Sequence, residues 1–306
     1  MARMINDEQR AAKNRPLGTS LIAYLAAAGA ILFWASAFPA VRYTLVYFSP
    51  GGLMLYRFLI ASIILTIYCI IKKVPLPKKR DLPLFFLSGQ SGIFLYMWAF
   101  NAGTAMVTAG ISGFIIAAAP VFTLILSILF LKERAGLFVW LGVLISFFGI
   151  IIIAATQVTN LELNAGIWLL IAAAISASFY NIFQKMLVQK YTAMQATAYS
   201  VIIGTVFMII FAPALVYELP RASLFAHGIV IYLGIFPAAF AFFLWGYAIL
   251  KAEKTVHVTN FLYLSPFFTL IIAFLWLGEV IPLLALVGGI VVILGMVITR
   301  IKRKTP

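Results

Sequence analysis

Carboxylates are scarce in this chain: 8 Asp and Glu stand against 22 Lys and Arg in 306 residues. All eight fall in tails, in loops or at the ends of apolar runs, so no acid is placed at mid-membrane depth to carry a coupling proton or cation. Cysteine is almost absent too. Cys69 stands alone, which excludes an intramolecular disulfide and a Cys-rich metal site. There is no His-Glu-x-x-His, no Gly-x-Ser-x-Gly, no paired mid-membrane Asp and no glycine-rich ATP loop with its Lys. No catalytic residue, metal or cofactor is therefore expected, and an intramembrane enzyme or receptor remains only as a remote alternative. His257 lies near the end of an apolar run, where titration and a plain helix-end role are both open.

What the chain has instead is apolar length, with 64% hydrophobic and 10% charged residues. Ten apolar runs cover residues 19–41, 52–71, 82–101, 107–131, 137–155, 165–187, 195–216, 226–249, 255–277 and 281–299. Each approaches the roughly 20 residues that cross a hydrocarbon core about 30 Å thick. The expected fold is an all-α integral membrane protein of ten transmembrane helices. If the amino terminus is cytoplasmic, 19 of the 22 basic residues fall on the inner side, Arg42 and Arg221 fall outside and Arg57 lies within a span. That bias is the positive-inside rule, so the net charge of +14 sets orientation and contacts anionic lipid; no nucleic acid is implied. Both termini are expected in the cytoplasm. The first run is too long for a signal-peptide core and is read as retained.

The chain also repeats itself. Residues 120–149 begin PVFTLILSILFLKER and residues 266–295 begin PFFTLIIAFLWLGEV. At a constant offset of 146 residues, Pro120 matches Pro266, the run 122–125 matches 268–271, Glu133 matches Glu279, and Gly142 and Gly149 match Gly288 and Gly295. Five spans per copy is an odd number, so the second copy enters the membrane from the opposite side, giving two inverted five-helix repeats. The expected divisions are a tail at 1–18, a first repeat at 19–155, a linker at 156–164, a second repeat at 165–299 and a basic tail at 300–306. Glu133 and Glu279 then end at opposite faces, beyond reach of each other, each placed to bond the exposed amides of the next helix.

The segments FWASAFPAVR, LYRFLIAS, AAAPVFTLILSILFLKER with its two glycines, and LYLSPFFTLIIAFLWLGE with its two resemble, in order and over nearly the whole length, the paired EamA domains of the drug/metabolite transporter superfamily. The resemblance implies a ten-helix carrier of a bacterial inner membrane, often an exporter of amino acids or related metabolites. A carrier of a cationic, choline-like or nucleotide-like solute, as importer or exchanger, is the alternative.

Pro120 and Pro266 fall near the middle of spans four and nine, where each removes a backbone donor and frees a carbonyl four residues earlier, those of Ile116 and Leu262. Paired interruptions of this kind point to a midplane site, with a packing kink as the other reading. Pro237 in span eight is a third break, without an equally placed proline. Polar stripes run along span three (Gln90, Phe94, Met97 and Asn101, with Trp98 beside it), span six (Ser178, Asn181, Gln184) and span nine (His257, Asn260, Tyr263). Such amides either line a cavity or bond helix to helix. Phe236, Phe240, Phe243 and Tyr247 form an aromatic stripe on span eight, and Trp34 and Phe38 stand one turn apart on span one. Trp34 also matches a Trp that the resemblance places in the first span. The expected substrate contacts are thus Trp34, Phe38, Gln90, Phe94, Trp98, Asn101, Asn181, Gln184, Phe240, Asn260 and Tyr263. Arg57 either partners an anionic solute or snorkels and bonds loop carbonyls. The heptad-spaced glycines of spans five and ten allow close helix approach, within a scaffold or across a homodimer.

Overall fold

The structure is a computed structural model describing residues 18–107, 109–155, 165–252, 255–277 and 283–299. The linker 156–164, the terminal tails apart from residue 18, and Glu279 lie outside the described residues. Within them the chain is all helix, with no strand. We label the helices α1 (Gly18–Thr44), α2 (Pro50–Ile71), α3 (Lys79–Met106), α4 (Ala109–Ile116), α5 (Ala119–Leu131), α6 (Leu137–Ala155), α7 (Ala165–Leu187), α8 (Ala193–Arg221), α9 (Leu224–Lys251), α10 (residues 255–277) and α11 (Leu283–Ile298). Seven of these (α1, α2, α3, α7, α8, α9 and α10) are long and apolar enough to cross a membrane, and Ala119–Leu131, Leu137–Gly149 and Leu286–Gly295 are shorter apolar helices.

Local chemistry sets several helix starts. Ser49 accepts from the Gly52 amide at 3.1 Å and Pro50 follows at the first position, where its missing donor costs nothing. Thr192 and Gln195 close a reciprocal capping box on α8, and Ser223 caps α9 through the Ala226 amide. The breaks follow from the same backbone accounting. Pro120 and Pro266 each sit at the second position of a restarted helix: α4 stops at Ile116 and α5 begins at Ala119, while α10 tightens into a 3₁₀ stretch at Asn260–Leu264 before resuming at Ser265.

Two further irregularities are π-helical, at Gln90–Leu95 in α3 and Gly234–Phe240 in α9. Their first residues differ by 144 positions, close to the offset of the repeat. Pro237 therefore has a partner after all, a π stretch that contains no proline. In α9 the proline removes a donor and the widened turn absorbs the defect. In α3 a tight approach stands in its place: a Cβ added at Gly92 would come within 2.7 Å of the Tyr180 Cβ.

Packing between the two halves is reciprocal. α1 lies along α9 and α10, and its counterpart α7 lies along α3 and α5; α2 packs on α8, and α6 on α11. The repeat glycines sit in that last contact. A Cβ at Gly142 would stand 2.5 Å from the Gly295 carbonyl, and one at Gly149 2.8 Å from the Gly288 carbonyl. The glycines thus meet crosswise, Gly142 with Gly295 and Gly149 with Gly288, and this face is consumed inside the chain.

Candidate functional site

A cavity of about 40 Å³ lies where the breaks meet. Ile116, the last residue of α4, and Ala119, the first of α5, form one wall, and Leu262 from the 3₁₀ stretch of α10 stands in another. Pro120 and Pro266 offer no amide to the Ile116 and Leu262 carbonyls, and the Leu262 carbonyl accepts from the Ser265 amide instead. The two π stretches reach the same space, through Gly92 and Tyr96 in and just after the α3 stretch and through Phe242 and Trp245 just after that of α9. Trp34 of α1 and Ala177, Tyr180 and Asn181 of α7 complete the lining.

The wall is aromatic and its polar groups are mostly held in place by one another. Trp34 Nε1 donates to the Pro237 carbonyl at 3.0 Å, satisfying a carbonyl inside the π stretch. Trp245 Nε1 donates to Asn181 Oδ1 at 2.8 Å, and Asn181 Nδ2 donates to Thr123 Oγ1 at 3.3 Å. Trp34 packs edge-on to Phe242 at 5.2 Å and against Trp245 at 5.1 Å, separations at which ring pairs attract. The Tyr180 hydroxyl is buried, with Thr197 as its polar neighbour. An apolar, aromatic pocket with a few fixed polar groups is the ordinary form of a small-molecule site.

Beyond the cavity, two cations close the ends of the bundle in matching ways. Arg42 Nη1, from α1, donates to the Thr104 and Val107 carbonyls at the C-terminus of α3 at 2.9 and 2.5 Å. Lys185 Nζ, from α7, donates to the Ile249 and Ala252 carbonyls at the C-terminus of α9 at 3.2 and 2.9 Å. A cation at a helix C-terminus meets both unsatisfied carbonyls and the negative end of the dipole. The two lie at opposite ends of α3, because α7 leads directly into Lys190 and Tyr191, which bond Asp81 at the start of α3. Beside Lys185, Glu133 Oε1 accepts from the amide and hydroxyl of Thr255, at 3.2 and 2.8 Å. The acid therefore bonds the start of α10 in the other half, and not the next helix in sequence, α6.

The sequence profile of the EamA-like transporter family matches residues 21–155 and again residues 164–301. The chain belongs to the EamA-like transporter family. Among relatives of this EamA-like chain, the uncharacterized transporter YdfC of Bacillus subtilis is 35% identical over 269 residues, 88% of each chain. A probable terminal-alkyne amino-acid exporter of Streptantibioticus cattleyicolor is 37% identical over 275 residues, 90% of this chain and 91% of that protein. A solved crystal structure superposes with a TM-score of 0.73, covering 91% of this chain and 96% of its own at 16% identity, which shows a shared fold alone. Family and relatives alike are transporters, and the chain is a multi-pass membrane protein.

Of the residues singled out in the sequence, the EamA-like fold brings Trp34 and Asn181 to the cavity, beside the positions that Pro120, Pro266 and Pro237 interrupt. Three of the other amides tie helices. Asn101 Nδ2 donates to the Pro50 carbonyl at 3.0 Å, Gln184 Nε2 to Ser88 Oγ, Ser200 Oγ and the Ala196 carbonyl, and Asn260 Nδ2 to Thr299 Oγ1 at 2.9 Å. Phe38 packs edge-on to Phe100, and Phe94 stacks on Phe211. Gln90 Nε2 and the Tyr263 hydroxyl are buried without partners, off the cavity wall. Trp98 and Phe240 turn outward, 41% and 45% exposed. Phe236 is exposed like Phe240, so the aromatic stripe drawn from the sequence starts on the outer face of α9, while Phe242 and Trp245 line the cavity from its inner face.

Proposed function

We propose that this transporter exports an amino acid or a related small metabolite across a bacterial inner membrane, by alternating access of its two halves around the aromatic cavity. The observation that carries the reading is the cavity's position: the walls come from both halves, at the breaks of α4/α5 and α10 and beside the π stretches of α3 and α9. Substrate sites at the interface of inverted repeats, formed by interrupted helices, belong to secondary transporters. The amino-acid character is supported by the relative named a probable terminal-alkyne amino-acid exporter. In this reading α4 with α5, α6 and α11 complete ten spans, and residues 19–155 and 165–299 are the two inverted repeats. Reciprocal packing across the halves supports it. The basic bias places both termini in the cytoplasm, with Arg42 outside and Lys185 inside.

Alternating access then means breaking one cation clasp at a time. With Arg42 and Lys185 both seated on helix ends, and a cavity with room for only a few waters, the structure fits a closed intermediate between the two open forms. Trp34, Tyr96, Tyr180, Asn181, Phe242 and Trp245 are the proposed solute contacts on the cavity wall. Counterflow of labelled amino acids into proteoliposomes is the test. Saturable exchange is expected, and a folded, reconstituted protein that moves no member of a broad amino-acid and metabolite panel would sink the proposal. Preferential exchange of choline-like cations, which aromatic faces attract, would turn it to the alternative solute class.

A further inference from the structure

We propose that Arg57 anchors a carboxylate on the transported solute, a reading that rests on the transport function above and narrows its substrates to carboxylate-bearing molecules. Arg57 lies seven residues into α2 from Pro50, about 10 Å along the helix axis. Its side chain is 1% exposed, so the guanidinium does not snorkel to a surface. Its Nε and Nη1 find no hydrogen-bond partner. A buried cation left in this condition is strongly disfavoured, and an arriving counter-anion would relieve it.

None of the described acids pairs with Arg57. Asp81 pairs with Lys190 at 2.8 Å, while Glu133 and Glu218 bond Thr255 and the Ser49 amide through Oε1 and keep a buried Oε2 without a partner. No ion pair to Arg57 forms among the described residues, and the nearest aromatic face, Phe58 at 5.5 Å from the guanidinium carbon, offers only weak compensation. With no described acid beside it, the guanidinium is left open to an anion from outside the protein.

Two neighbours link Arg57 to the cavity. Tyr96, which lines it, belongs to α3, and α3 packs against α2. The Phe58 ring packs edge-on to Phe242, another lining residue, at 6.1 Å. The backbone is also held: a Cβ at Gly234, the first residue of the α9 π stretch, would stand 2.8 Å from the Arg57 carbonyl. The cation thus stands one side chain behind the wall, on an element clamped against the π stretch. One cation without an acidic companion matches a single carboxylate. A phosphate dianion would keep an unneutralised charge, and a quaternary ammonium would be repelled.

The test uses the full chain in detergent and in proteoliposomes, with the matched pairs 3-phenylpropanoate and 3-phenylpropanamide, hexanoate and hexanamide. Binding is read by melting temperature and by the fluorescence of the cavity indoles. For the wild type, acids are expected to bind and their amides to bind at least about tenfold more weakly. Arg57→Met is expected to lose that preference, acid affinity falling roughly 10- to 100-fold and amide affinity staying within about twofold. Ligand-free Arg57→Met is expected to melt no lower than wild type, because it removes an unpaired buried charge. Arg57→Lys, which keeps charge without the fork, is expected to retain a reduced preference for acids. A wild type that treats acid and amide alike, or binds neither, would overturn the proposal, and so would an Arg57→Met protein that melts several degrees lower. If amino acids still exchange by counterflow in those cases, the transport reading survives without the carboxylate anchor.

Discussion

Removing the Lys185 clasp should open the cytoplasmic side of the cavity. Lys185 Nζ makes two hydrogen bonds, to the Ile249 and Ala252 carbonyls. Hydrogen bonds from a charged donor contribute about 1.5–3 kcal/mol each, and a cation at a helix C-terminus adds about 0.3–1 kcal/mol. Releasing a held lysine returns up to about 2 kcal/mol of rotamer entropy. For Lys185→Met the net is on the order of 2 kcal/mol against the closed arrangement, or roughly a 30-fold shift in population. The single native cysteine makes this measurable. In a Cys69→Ala background, Ala177→Cys puts a thiol on the cavity wall, and its reaction with a membrane-impermeant maleimide reports opening from each side. Lys185→Met should accelerate labelling from the cytoplasmic side roughly 30-fold and slow it from the outside, and Arg42→Met should do the reverse. Unchanged rates, or both substitutions moving accessibility the same way, would refute the assignment of the two cations as opposed clasps.

Gly295→Ala should lower the melting temperature, because the new Cβ would stand 2.5 Å from the Ser146 amide nitrogen and 2.6 Å from the Gly142 carbonyl; forcing α6 and α11 apart costs about 1–3 kcal/mol. Gly142→Ala combined with it should cost less than the sum, since both act on one contact, and an unchanged melt in detergent would remove these glycines from the scaffold. Asn181→Ala strips Trp245 Nε1 of its acceptor and should destabilise by about 1–3 kcal/mol while depressing exchange, seen as a lower melting temperature and a slower counterflow. Trp98→Leu and Phe240→Leu, on outward-facing positions, should leave counterflow within about twofold of wild type, in line with surface substitutions. Loss of transport in either would bring that residue into the site.

The repeat and its prolines are the part of the site that can be read from sequence. Removing an amide at Pro120 and Pro266 names Ile116 and Leu262 by counting back four, and both stand at the cavity. Glycine spacing in α6 and α11 announces close approach but not the partner, which only the packing identifies as the matching glycine helix in the other half of the chain. The inward faces of α3 and α9 are hidden because aromatic residues stand all round these helices. The stripe of Phe236, Phe240, Phe243 and Tyr247 reads as a cavity wall as readily as the face of Phe242 and Trp245, yet Phe236 and Phe240 are exposed and the latter pair lines the cavity. Asn101, Gln184 and Asn260 look like Asn181 in sequence, since an amide facing a helix and an amide facing a cavity obey the same periodicity. The isolation of Arg57 is likewise a property of what its neighbours do with their own side chains.

Ala177→Trp addresses the central claim most directly. Ala177 lines a cavity of about 40 Å³ between aromatic walls, and an indole there fills it from α7. Counterflow of a labelled amino-acid panel into proteoliposomes should be abolished by Ala177→Trp and retained by the outward-facing Trp98→Leu, at equal reconstitution and with both proteins monodisperse. An Ala177→Trp protein that exchanges amino acids at the wild-type rate would contradict passage through this cavity.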